Sequence, residues 1–276
     1  MVVWLFGAVI AFTLGSFSSA SASCMNAMFD RVPKPSQELA QLVKSAERGD
    51  RQAQFQLGIA YESGIGAERD YAEAARWYRK AADAGNSGAQ NNLGSMYGRG
   101  LGVPQSDAEA MKWYMRAASE GHPAAENNIG YMYASGHVEG YGPTSGPDQV
   151  EALKWYVKAA NKKYAPAEFN LGWAYFHGQG AEQNLVEAVR WFRQAAGHGS
   201  AAAENELGFA YEHGRGVSRD LKTALKWYAA AAQHGSAEAR QNLAILAANA
   251  RQDGNTNGRL SSKLSPQSNA ATAAYH

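Results

Sequence analysis

A unit of 36 residues, used over and over, constrains this chain more than any other feature. Trp77, Trp113, Trp155, Trp191 and Trp227 follow one another at intervals of 36, 42, 36 and 36 residues. The pairs Leu57-Gly58, Leu93-Gly94, Ile129-Gly130, Leu171-Gly172 and Leu207-Gly208 step in the same way, and Leu243-Ala244 closes the series. Self-similarity at such a period marks an architecture in which each unit is one supersecondary element that cannot bury its apolar face alone.

Each unit holds two helical patterns. In the first, Ala53, Leu57, Ala60 and Tyr61 fall at i, i+4, i+7 and i+8, on one face of a helix. The glycine after each leucine disfavours a helix by about 1 kcal/mol relative to alanine, so its recurrence implies that another backbone approaches closely. The second pattern opens at Asp70, Ser106, Asp148, Asn184 and Asp220, all residues whose side chains accept from exposed N–H groups at a helix start. Glu73, Glu109, Glu151 and Glu187 stand three residues later and complete the pattern of a capping box, with Thr223 the exception. Gly85, Gly121, Gly199 and Gly235 stand where a left-handed residue would end these helices. Residues 36–49 read as a preceding half unit and 241–251 as a final one, both as caps. The fold class that follows is all-α, a right-handed α-solenoid of about twelve helices in stacked antiparallel pairs over residues 36–251.

The unit resembles the Sel1-like repeat, a relative of the tetratricopeptide repeat. The residues that carry the resemblance are Ala89, Leu93, Gly94, Tyr97 and Gly100 in one helix, then Ala110, Trp113, Tyr114, Ala117 and Ala118 in the next. The pattern recurs five times over some 200 residues. The resemblance implies an interaction scaffold, of a kind often found in bacterial envelopes, with the first helices lining the concave surface.

On the face of the first helices opposite Leu57, one column reads Ile59, Ser95, Tyr131, Trp173, Phe209 and Ile245, and its neighbour reads Phe55, Asn91, Asn127, Phe169, Asn205 and Gln241. A face meeting only water would be polar, and a large apolar patch on a soluble protein often marks a partner site. The candidate partner-binding residues are therefore Phe55, Ile59, Tyr131, Phe169, Trp173, Phe176 and Phe209. The competing reading is that adjacent first helices bury these rings. The Trp-Tyr pairs of the second helices recur in every unit and read as core.

The interval of 42 residues has its own cause. Five residues normally separate the two helices of a unit, whereas eleven, His137 to Pro147, separate them in the third. Three glycines and two prolines in that stretch continue neither helix. The insertion is expected to project from one edge, with Tyr141 as its contact residue; a tolerated surface insertion without a role is the alternative.

Signals for chemistry are absent. No nucleophile elbow, phosphate loop, zinc-protease or dinucleotide motif occurs. His177 with His213, and His198 with His234, recur one repeat apart and do not supply the three or four ligands of a metal site; histidines near helix C-termini suit the free carbonyls there. No catalytic residue, cofactor or metal is expected. Net charge is +1 and 18% of residues are charged, which gives no general attraction to nucleic acid. Residues 1–22 read as a signal peptide, with an apolar run from Val2 to Leu14 and cleavage near Ala22, after which 23–35 form a flexible linker. A membrane is involved only through an uncleaved N-terminus or a lipidated Cys24, although Ser21 stands where a lipoprotein signal carries leucine. Residues 252–276 are polar and read as a disordered tail. These features lead to a periplasmic or secreted, non-enzymatic adaptor for a protein or peptide partner. The alternatives are a secreted factor acting on a host protein and a wall-directed, β-lactamase-like hydrolase; some disulfide-rich relatives of this repeat type are associated with such chemistry, but their paired cysteines are missing here.

Overall fold

The computed structural model describes residues 37–137 and 146–252. The described residues form twelve α-helices and no strand. They are α1 Gln37–Glu47, α2 Arg51–Ser63, α3 Tyr71–Asp83, α4 Ser87–Arg99, α5 Asp107–Ser119, α6 Pro123–Ser135, α7 Gln149–Ala160, α8 Ala165–His177, α9 Leu185–Gly197, α10 Ala201–His213, α11 Leu221–Gln233 and α12 Ala237–Gln252. Packing is almost wholly between helices consecutive in the chain. This is the all-α solenoid that the period requires. The expected signal peptide (1–22) and linker (23–35), Cys24, Tyr141 and the expected tail beyond Gln252 lie outside the described residues.

The recurring glycine does make room for a neighbour, but the neighbour is chiefly a ring. A Cβ placed on Gly58 would lie 2.4 Å from Cδ1 of Tyr78, and one on Gly208 would lie 2.5 Å from Cδ1 of Tyr228. Gly94, Gly130 and Gly172 face Tyr114, Tyr156 and Phe192 in the same manner, at 2.8, 2.6 and 2.5 Å to the nearest ring carbon. Backbone comes second, as with the Ala110 carbonyl 3.1 Å from that point at Gly94. The aromatic of the second helix thus packs directly on the glycine of its own first helix. The last described unit carries Ala244 at this position, and among the described residues no helix follows to press a ring against it; Ala244 is exposed.

The tryptophan beside each of these rings points the other way along the stack. Trp113 packs into the cluster formed by α3 and α4, Trp77 into that of α1 and α2, and Trp227 against that of α9 and α10. Each Trp-Tyr or Trp-Phe pair therefore joins two layers, the Tyr or Phe within a unit and the Trp to the unit before. Trp113 and Tyr78 are among the largest fully buried side chains.

Capping follows the expected residues with one change. Asp70, Ser106, Asp148, Asn184 and Asp220 accept from the N–H groups of the first turn. Their own N–H groups are not taken by the glutamates of a capping box. They donate at 2.8–2.9 Å to the carbonyls of Tyr61, Tyr97, Tyr133, Tyr175 and Tyr211, closing each helical hairpin. Glu73, Glu109, Glu151 and Glu187 instead form exposed ion pairs with Arg76, Lys112, Lys154 and Arg190, of the kind that contributes little to stability. The hairpin bond from Asp148 to Tyr133 is as short as the others, so the insertion leaves the third unit closed.

Left-handed glycines stand after α3, α5, α9 and α11, at Gly85, Gly121, Gly199 and Gly235. In the third unit Lys163 occupies this place with φ of 59°, the one non-glycine with positive φ among the described residues. That conformation costs a side chain about 1–2 kcal/mol. Lys163→Gly is expected to raise stability by about 0.5–1 kcal/mol, the relief of strain less the greater chain entropy of glycine, read as a higher urea midpoint. Gly208→Ala should act in the opposite direction: about 1 kcal/mol of helix propensity is gained, the Tyr228 ring must move at a typical 1–3 kcal/mol, and the midpoint falls.

Candidate functional site

Consecutive first helices lie side by side and are tied by a ladder of amides. Asn128 donates to Asn91 at 3.0 Å, Asn170 to Asn127 at 2.8 Å and Asn242 to Asn205 at 3.0 Å. Asparagines in the second of the two columns are therefore largely rungs between units. Two rungs are missing, because Phe55 and Phe169 cannot accept. Phe55 lies against the α3–α4 cluster, 5.9 Å from the Tyr78 ring, and fills space between units.

Around Phe169 the fourth unit departs from the others in several places at once. In the first and fifth units the hydroxyl of the ring on the glycine donates to an acid on the first helix, Tyr78 to Glu62 at 2.5 Å and Tyr228 to Glu212 at 2.8 Å. Burial, reinforced by these acids, raises the pKa of both phenols. In the fourth unit Phe192 replaces the tyrosine and Phe176 replaces the acid, with their centroids 6.5 Å apart. From there rings run continuously: Phe169 is 6.1 Å from Trp173, and Phe176 meets Phe209 edge-on at 6.2 Å. Such tilted and edge contacts are favourable geometries for aromatic pairs.

Exposure separates the candidate residues. Tyr131 is 62% and Trp173 40% accessible, as is Ile59 at 40%. Phe169, Phe176 and Phe209 are half-buried. The structure brings Phe169, Trp173, Phe176 and Phe209 together and leaves Phe55 and Ile59 apart. Tyr131 stands one unit away, on the wall of a cavity of about 390 Å³ shared with Arg99, Asp107, Tyr114 and His137. A second cavity, of about 450 Å³, opens beside Phe169 and Trp173 and reaches Glu206 and Glu238. Burial, followed by the nearby charge of Glu238, raises the Glu206 carboxyl pKa.

Sequence reasoning omitted Glu206, although it is the one acid in a column otherwise made of Gln56, Asn92, Asn128, Asn170 and Asn242. It also missed that His177 and His213 belong to the patch. Each stacks on the ring four residues earlier, at 4.2 Å from Trp173 and 4.3 Å from Phe209. Each also donates from Nδ1 to the carbonyl of that residue, at 3.0 and 3.1 Å. An i, i+4 spacing of His after an aromatic was the available signal.

His198 and His234 have a different task. They pair with the buried carboxylates Glu168 at 2.7 Å and Glu204 at 2.8 Å, and in the third unit Lys162 serves Glu126 at 2.7 Å. The same column holds Gln54 and Gln90 in the first two units, whose side chains donate to the Ala46 and Ala82 carbonyls. Among the described residues no group of three or more His, Cys, Asp or Glu is placed to hold a metal. Glu168→Gln should be nearly neutral, since glutamine already fills this column twice. His198→Ala should cost about 2–3 kcal/mol, below the 3–5 of a fully buried pair because His198 is partly solvent-screened; chemical denaturation of the two variants checks the contrast.

The Sel1 repeat model matches residues 51–86, 87–122, 123–164, 165–200 and 201–236. A Sel1 repeat protein from Oxalobacter formigenes shares 32% identity and superposes with a TM-score of 0.71, covering 87% of this chain and 96% of that one. A protective antigen present in uropathogenic Escherichia coli strains, displaying an SLR fold, shares 34% identity with a TM-score of 0.64 over 77% of this chain; the chain spans only 44% of its length. An immunity protein from Pseudomonas aeruginosa shares 22% identity with a TM-score of 0.51, covering 80% of this chain and 84% of that one, which is a likeness of fold. No curated protein matches.

Proposed function

The chain belongs to the Sel1 repeat family, and on that premise we propose that it is a non-enzymatic adaptor of the bacterial cell envelope that holds a partner protein along the face of its first helices. Sel1 repeat proteins generally mediate protein–protein interaction. The observation that carries the reading is the aromatic run from Phe169 through Trp173 and Phe176 to Phe209, flanked by Tyr131, in which Trp173 and Tyr131 stay 40% and 62% accessible after the units have stacked. Rigid aromatic anchors beside cavities are typical centres of binding energy. The partner segment is an extended strand or a helix.

Placement in the envelope rests on the apolar stretch Val2 to Leu14 and the small residues Ala20 and Ala22 that follow it. Among the described residues no helix is long and apolar enough to cross a membrane. Non-enzymatic action is supported by where the repeated acids are engaged: Glu126, Glu168 and Glu204 in internal ion pairs, and Glu73, Glu109, Glu151 and Glu187 in surface ones.

Capture from envelope extracts by wild type and by Trp173→Ala with Phe209→Ala tests the assignment. Loss of two anchors is expected to weaken binding by at least about 2 kcal/mol, roughly 30-fold, while circular dichroism still shows the folded array. Undiminished capture by the folded double variant removes the stripe, and turnover of peptidoglycan fragments by the full chain restores the hydrolase reading.

A further inference from the structure

The cavity beside Phe169 and Trp173 has a chemical character that the aromatic run alone does not. Its walls include the two rings, Asn205, His234, Glu206 and Glu238, and so come from three successive first helices, α8, α10 and α12, together with the end of α11. It exists where the amide ladder fails. Asparagine at the position of Glu206 donates to the unit before in three other cases. Here Phe169 cannot accept and Glu206 cannot donate, so the rung is absent.

What remains is a carboxylate in an unusual state. Glu126, Glu168 and Glu204, the buried acids of the first helices, each have a lysine or histidine of this chain at 2.7–2.8 Å. Glu206 is half-buried and receives a long bond of 3.4 Å from Asn205. Among the described residues neither Glu206 nor Glu238 forms a salt bridge. His234 is engaged by Glu204 and Arg240 by the Gly235 carbonyl, at 3.2 Å; His177, which acts on Glu206 at longer range, is stacked on Trp173. No lysine or arginine lines the cavity.

We propose that this cavity receives the lysine or arginine side chain of a partner segment, with its aliphatic stem against Phe169 and Trp173 and its charged head between Glu206 and Glu238. The chemistry is complementary in both parts. Long basic side chains lay an apolar stem along rings and keep the charge at the end, aromatic faces attract cations, and a half-buried carboxylate without a counterion gains a charge-assisted bond from one. A neutral apolar occupant would leave both acids of the cavity wall without a counter-charge. The proposal rests on the adaptor reading and adds to it the class of residue that the partner presents.

Random dodecapeptides displayed on phage and selected on the full chain, then made synthetically, test it by titration calorimetry. The expected result is a shared lysine or arginine next to an apolar residue. Replacing lysine by norleucine, or arginine by citrulline, then lowers affinity for wild type at least tenfold and for Glu206→Gln with Glu238→Gln less than twofold. If the glutamine variant binds basic and neutral peptides as wild type does, the cation site is wrong. Peptides that nonetheless lose affinity for Tyr131→Ala with Trp173→Ala would then leave the stripe standing. Peptides indifferent to both pairs of substitutions, or no enrichment at all, overturn both readings. Thermal melts of each variant confirm that the array is folded.

Discussion

An aromatic ring laid on a glycine holds this molecule together. Because Gly58, Gly94, Gly130, Gly172 and Gly208 carry no side chain, the Tyr or Phe of the second helix packs against the first closer than any Cβ would permit. The separation of the two helices in every unit is set there. The tryptophan one residue earlier is turned by about 100° around the helix and reaches the preceding unit. Adjacent residues with different directions thus propagate the stack, and a helix-weakening glycine is tolerated because the contact it permits outweighs the lost propensity.

Polar groups inside the stack follow the same economy of position with changing chemistry. One column near the start of the first helices binds backbone carbonyls through glutamine in two units and ion pairs through glutamate in three. A buried carboxylate requires a hydrogen-bonding or charged partner, and Lys162, His198 and His234 appear only in the units that hold the glutamates. The change in the fourth unit is comparable: Phe176 and Phe192 replace an acid and a tyrosine together. Substituting only one member would have left a buried hydroxyl or a carboxylate against an aromatic ring.

The candidate residues of the aromatic stripe were legible in the sequence, though not how deeply each is buried. A helical wheel places Tyr131, Trp173 and Phe209 on the face away from Leu57, because direction around a helix is fixed by residue number. Depth is not fixed in that way. Phe55 and Phe169, in one column, are both half-buried and both pack between units, against the rings of Tyr78 and Phe192, and the asparagines between them are rungs. Glu206 looked like one more polar residue in a polar column. Its isolation depends on Phe169, 37 residues earlier, and that relation exists only once the units are side by side.

The sequence by itself determined the unit, its caps, the number of helices and the order of stacking, since each of these follows from short-range spacing and from residues that tolerate one backbone conformation. Tertiary structure decided what fills the space made by the glycines, which bond closes each hairpin and which acids find cations. It also decided which rings stay in solvent. These outcomes depend on distances between atoms one or more turns or units apart, and such distances arise only when the helices pack.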